Sequence, residues 1–219
     1  YQALYTNTTG GFNSASGVGA LLLNTIGSYN TATGGYALNS NTSGDFNTAS
    51  GYQALYSNTI GTENTADGRY ALRFNTTAGQ NVAIGNGALY TQSFSNGGVA
   101  WNSLNVAVGY QALYNNQPTT ATNGVRNTAV GSNALLSNTT GQDNTGVGAN
   151  AGRMTTTGIF NTFLGSGAGY NNTLGSRNIF SMKISSVPTD RLIILTLITG
   201  FLPGTTGFSG ALMPEKATG

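Results

Sequence analysis

Glu63 and Asp67 stand four residues apart with Arg69 and Arg73 just behind them, the one place where two carboxylates and two guanidinium groups crowd together. A pair of acids is what glycoside hydrolysis requires, one to protonate the leaving oxygen and one to act as base or nucleophile. Acids interleaved with arginines at this spacing more often make a solvated charge cluster. The remaining chemistry is thin: the chain has six Asp and Glu, no His and no Cys. Imidazole-based nucleophilic catalysis and the usual zinc sites therefore lack their residues. Segment 165–169, reading G-S-G-A-G, has the glycines of a phosphate cradle but no following Lys and no helix to open. The expectation is a non-enzymatic protein with no cofactor and no metal.

Binding chemistry has more candidates. Two insertions, about 90–104 and 114–126, interrupt an otherwise regular pattern and carry Phe94, the only Trp (Trp101), Pro118 and Arg126. Loops extruded from a rigid scaffold are where contact residues gather, so these four are candidate binding residues for cell-surface glycans or receptors. The alternative is that Trp101 only pins its own loop. N-x-[ST] sequons at Asn7, Asn41, Asn75, Asn138 and Asn171 are candidate glycosylation sites. Eight Lys and Arg are scattered without a cluster able to neutralise several phosphates, so no nucleic-acid partner is expected. No run reaches the 18 apolar residues of a membrane span, and none is expected to insert.

The regular pattern dominates everything else. The stretch N-T-A-S-G-Y-Q-A-L-Y-S-N-T-I-G beginning at Asn47 recurs with a period of 17 residues, its opening Asn returning at Asn13, Asn30, Asn47, Asn64, Asn81, Asn105, Asn127, Asn144, Asn161 and Asn178. Fixed-period self-similarity is the signature of a stacked array. With that Asn as position one, Gly holds position five, Ala position eight and Asn usually position twelve. Gly and short polar residues at this density argue against helices and for short strands joined by turns. The fold class expected is all-β, a parallel β-solenoid of about ten coils over residues 1–181. In such a stack each position becomes a ladder at ~4.8 Å spacing, with Ala and Leu filling a thin interior and Asn amides laddering.

Position four is polar in Ser16, Thr33, Ser50 and Asp67, then apolar in Ile84, Val108, Val130, Val147 and Leu164. A buried stripe is expected to replace a wet one, either because the interior widens or because this face meets another copy of the chain. From about residue 182 the repeat gives way to a separate segment, 182–219, expected to cap the stack or to assemble it. Its apolar run, Leu192, Ile193, Ile194, Leu195, Leu197 and Ile198 with one Thr inside, reads as a strand, able to add to the sheet edge of a neighbouring copy and so build a homopolymer. Because Tyr1 already falls at position six, the chain is expected to be part of a longer or processed protein.

The boxes N-V-A-I-G at Asn81, N-V-A-V-G at Asn105 and N-T-A-V-G at Asn127 resemble the head repeats of YadA-type trimeric autotransporter adhesins. They are also similar to N-T-A-x-G arrays of phage tail fibres and bacterial surface fibre proteins. The resemblance covers residues 1 to about 180. It implies a left-handed parallel β-roll, commonly trimeric, placed at the cell surface, outside the cell or on a virion, and used for attachment. Two alternatives stand beside a fibre or adhesin: a phage tail fibre segment and, from another class, an ice-binding solenoid with Thr at positions two and thirteen.

Overall fold

In the computed structural model, residues 1–181 are described. The chain is all-β, a parallel β-solenoid. The strands are β1 Ser14–Ser16, β2 Thr31–Thr33, β3 Thr48–Ser50, β4 Thr65–Asp67, β5 Ala78–Gly79, β6 Val82–Ile84, β7 Trp101–Asn102, β8 Val106–Val108, β9 Thr128–Val130, β10 Thr145–Val147, β11 Thr162–Leu164 and β12 Ile179–Ser181. Ten of them form one parallel sheet in the order β1-β2-β3-β4-β6-β8-β9-β10-β11-β12, while β5 and β7 pair separately. Register is strict: Thr31 faces Thr48, Thr48 faces Thr65, and Thr65 faces Val82. At the usual inter-strand spacing the ten strands stack over roughly 45 Å.

Each of the ten strands in the main sheet is three residues long, and in nearly all of them a glycine at position five ends it. Gly51 has φ +122, and a Cβ there would sit 2.7 Å from the carbonyl carbon of Gly68 in the next coil. Only glycine supplies both that conformation and that close approach. The turns beyond it are built from left-handed residues that are not glycine. Gln53, Leu55 and Glu63 have φ of 56, 51 and 57, and equivalents recur in coil after coil. Such a conformation costs ~1–2 kcal/mol per residue, but here it swings each N–H parallel to the stack. Gln53 N–H donates to Gly35 O at 2.9 Å, Leu55 N–H to Ala71 O at 3.0 Å and Glu63 N–H to Asp45 O at 3.0 Å. Turn and strand alike therefore bond to neighbouring coils, which satisfies backbone groups that a thin core would otherwise strand.

The interior holds the position-three and position-eight alanines and the position-nine leucines, such as Ala49, Ala54 and Leu55, all fully buried. The position-eight alanine faces inward from Ala20 to Ala168; Ala3, in the first turn, is exposed. Two amide ladders line this core. At position one, Asn47 donates through its backbone N–H and its Nδ2 to Asn30 Oδ1, at 2.9 and 3.2 Å. At position twelve, Asn58 Nδ2 donates to Asn41 Oδ1 at 2.9 Å and to Gly61 O at 3.0 Å, and Asn75 Nδ2 donates in turn to Asn58 Oδ1 at 2.9 Å.

Candidate binding surfaces

The insertions turn their Trp and Pro side chains inward. Trp101, on β7, is only 8% exposed and packs with Ala78, Val125, Phe94 and Ala121 in a small second core. The Phe94 ring meets the indole edge-on at 5.7 Å between centroids. Pro118 is buried and lies over Gly124. The structure thus brings both loops together, as their positions in adjacent coils require, but it spends Trp101, Phe94, Pro118 and Val125 on pinning the loops to the stack, leaving Val99 and Leu104 exposed. Trp101 and Pro118 are not presented to a ligand. Arg126 stands at position seventeen of its coil and grips Asp143, with Nε and Nη2 donating to the two carboxylate oxygens at 2.6 and 2.8 Å. That contact holds the Arg126 guanidinium above its ordinary pKa, against a smaller opposing effect of burial.

Sequence reasoning missed Gln92. It replaces the position-twelve Asn in the coil that carries the first insertion, and its longer amide spans both ladders. Nε2 donates to Asn75 Oδ1 at 3.2 Å and Ser103 Oγ at 3.0 Å, while Oε1 accepts from Asn105 at 3.1 Å and Asn116 at 3.0 Å. The available signal was the substitution itself, a Gln where the neighbouring coils carry Asn.

Three of the five sequons are overturned as attachment sites. Asn41, Asn75 and Asn138 are fully buried, and each Nδ2 donates both to the ladder and to a backbone carbonyl. A glycan on that nitrogen would have no room in the folded coil. Asn7, in the first turn, is part-buried in the same ladder, and Asn171 is exposed.

Positions two and four face away from the core along the whole sheet. Ile84, Val130 and Leu164 are 40%, 36% and 54% exposed, so the stripe is outside, and of the two expected ways of burying it the widened interior is overturned. Asp67 is on this outer face of β4, whereas Glu63 belongs to a turn and accepts a hydrogen bond from Gln80 Nε2 at 2.9 Å. Among the described residues no three of His, Cys, Asp and Glu come together as metal ligands. The glycines of 165–169 form the ordinary turn after β11.

No family model, curated protein or solved structure matches this chain. Its surfaces must be read from their own chemistry. Leu192, Ile193, Ile194, Leu195, Leu197 and Ile198 lie outside the described residues.

Two aromatic arrays run along the stack. On one edge Phe12, Tyr29 and Phe46, all at position seventeen, stack face to face at 4.9 Å with interplanar angles of 9° and 4°. On another, Tyr36, Tyr52, Tyr70 and Tyr90 follow one another at 6.2, 5.8 and 6.1 Å with steep angles of 86°, 64° and 70°. Arg73 lies among these rings, 5.0 Å from Tyr70 and 4.8 Å from Phe74, and donates to Tyr90 Oη at 2.8 Å. Arg69 covers Tyr70 at 4.4 Å and donates to its Oη at 3.0 Å, a bond that raises the guanidinium's pKa. Burial, and then neighbouring Tyr90, pushes the Tyr114 phenol up.

Proposed function

We propose that this chain is a non-enzymatic structural segment of an extracellular fibre or adhesin, at a cell or virion surface, in which the coil stack supplies reach and stiffness and its outer edges supply contact. The observation that carries the reading is continuity. A single sheet order runs from β1 to β12 without a branch, and strands, turns and asparagine amides all bond along the same axis. A stack built this way resists bending and offers long repeated surfaces, the geometry suited to holding two bodies apart and together. The test is retention: beads coated with the chain should stay on bacterial or animal cell surfaces under flow at least fivefold better than beads coated with a variant whose coils are broken by Gly51→Val and Gly68→Val. Equal retention of the two would sink the proposal.

A second reading has its own observation. Position two carries a β-branched residue in nine successive coils, Thr31, Thr48, Thr65, Val82, Val106, Thr128, Thr145, Thr162 and Ile179, and the threonines among them lie on the outer face of the sheet, exposed or half-buried. Position-thirteen threonines differ, since Thr25 and Thr42 Oγ1 donate to the next coil at 2.9 and 3.1 Å. A row of outward hydroxyls and methyls at ~4.8 Å, interrupted by Val82 and Val106, supports binding to an ordered water lattice, as on an ice surface. Thermal hysteresis abolished by Thr48→Lys supports that reading, and no hysteresis in the parent chain removes it.

A further inference from the structure

The tyrosines are not spread over the surface. Every one except Tyr29 stands at repeat position six, seven or ten, all on one edge of the stack. Arg69, Arg73 and Arg153 occupy positions six and ten on the same edge, and none of the acidic residues in the repeats does. The only salt bridge among the described residues, Arg126 with Asp143, is at position seventeen. Three guanidinium groups therefore stand on an aromatic edge with no ion pair to a carboxylate among the described residues.

The two edges differ in the chemistry of their rings. Phe12, Tyr29 and Phe46 stack in parallel and are 82%, 51% and 57% exposed, but only one of the three rings carries a hydroxyl. On the tyrosine edge Tyr36, Tyr52, Tyr70, Tyr90 and Tyr114 all carry a hydroxyl; the first four meet edge-on, Tyr90 then stacks on Tyr114 at 4.8 Å, and Tyr36 and Tyr52 are 38% and 44% exposed. Tyrosine supplies rigid amphipathic contact area at low entropic cost. An arginine stacked on rings and tied to a phenol is already held in place for an anion. From the coil of Tyr36 to that of Tyr114 the track runs roughly 19 Å at the inter-strand spacing.

We infer that this tyrosine–arginine edge is a binding track for an anionic oligosaccharide, centred on Arg69 and Arg73. Ring faces pack on the C–H faces of the sugars, phenol hydroxyls exchange hydrogen bonds with sugar hydroxyls, and the two guanidinium groups hold a carboxylate or sulfate. A nucleic acid fits less well, because two close cations cannot match a phosphate at every nucleotide step. A neutral glycan would leave the guanidinium groups without a counterpart. The inference rests on the attachment reading above and names the ligand class of its contact surface.

The experiment titrates the whole chain with a sulfated heparin-derived hexasaccharide, a galacturonate hexamer and neutral cellohexaose at low and high salt. At least one anionic probe should bind tenfold or more tighter than cellohexaose and weaken as salt rises; which one it is distinguishes sulfate from carboxylate as the source of the charge. Arg69→Gln, at an exposed residue, should weaken binding about threefold, and Arg69→Gln with Arg73→Gln tenfold or more. Arg177→Gln, on the position-seventeen edge, should change it less than twofold. Melting curves of each variant confirm that the stack is intact. Equal binding of neutral and anionic probes, no binding of either anionic probe, or the same loss from Arg177→Gln as from Arg69→Gln overturns the inference. If such a failure comes with normal bead retention on cells, the attachment reading survives without this track; loss of both retires both.

Discussion

In the coils of residues 30–80 the interior is filled by an alanine on the strand and a leucine in the turn, Ala49 and Leu55 for example, whereas in 144–181 the same space is filled the other way round. There Phe163 and Phe180 bring the bulk at position three and Gly152 and Gly169 vacate position nine, while the coil of Gly146 has glycine at both positions and takes its filling from Leu135 and Phe163 of the neighbouring coils. A Cβ on Gly152 would lie 2.5 Å from the Phe163 ring, and Phe163 stacks on Phe180 at 5.3 Å. One core volume is thus reached with two distributions of side chain, as close packing permits when total volume is conserved. The left-handed turn position accepts the exchange because glycine adopts φ near +58 there more cheaply than leucine does. The polar lining differs too. In 30–80 the position-twelve ladder is unbroken, while at Thr155 it stops, leaving Asn138 Oδ1 and Thr155 Oγ1 buried without partners.

The sharpest break of this comparison comes at the feature both regions share. Gly51→Val puts a branched side chain against the Gly68 backbone at a positive φ, and should cost about 4 kcal/mol or more, enough to abolish the cooperative melt followed by circular dichroism. Next is the swap itself. Gly152→Leu should cost about 3 kcal/mol by overpacking and Phe163→Ala about 3–5 kcal/mol by leaving a cavity. The double variant restores a turn leucine over a strand alanine at this one contact and should be more stable than the sum by at least about 2 kcal/mol in a chemical-denaturation cycle. Additive losses would mean the two regions do not share one packing rule.

Smaller effects separate the ladders. Asn58→Ala removes three buried hydrogen bonds and should cost about 2–4 kcal/mol. Asn172→Ala removes one part-buried bond to Gly175 O and should cost under about 1 kcal/mol; similar melting shifts for the two would deny the ladder its stabilising role. Thr155→Asn restores the missing rung, offering an Nδ2 to Asn138 Oδ1, and should stabilise by about 1 kcal/mol, read as a rise of a few degrees in Tm. An unchanged or lowered Tm would show that the gap at Thr155 suits its own coil better than the asparagine found elsewhere.

The candidate surfaces were only partly legible in advance. Recurrence at fixed positions marked the asparagines, but the sequon reading treated Asn41, Asn75 and Asn138 as surface groups when the stack needs them inside. Trp101 drew attention through rarity, which says nothing about direction; a large apolar side chain in a long loop lowers its free energy most by burying itself, and Val125 and Ala121 from the second loop complete its cover. The tyrosine edge went unread because its members occupy three different repeat positions, and only the folded turn places those positions side by side.

What the amino-acid order determined by itself was the stack: a period, a glycine that only close coil contact explains, an alanine that only a thin interior explains, and amides that pair best with themselves. Those are local demands repeated at one spacing, so they are visible without coordinates. Which face of each strand looks inward was left to the tertiary structure. Alternation puts positions two and four opposite position three, yet Val82, Ile84 and Val108 are as suited to a core as Ala83. Closure of the coil decides it. Once the Leu55-type side chains enter from the turn, only a methyl group fits beneath the strand, and the branched residues must face out.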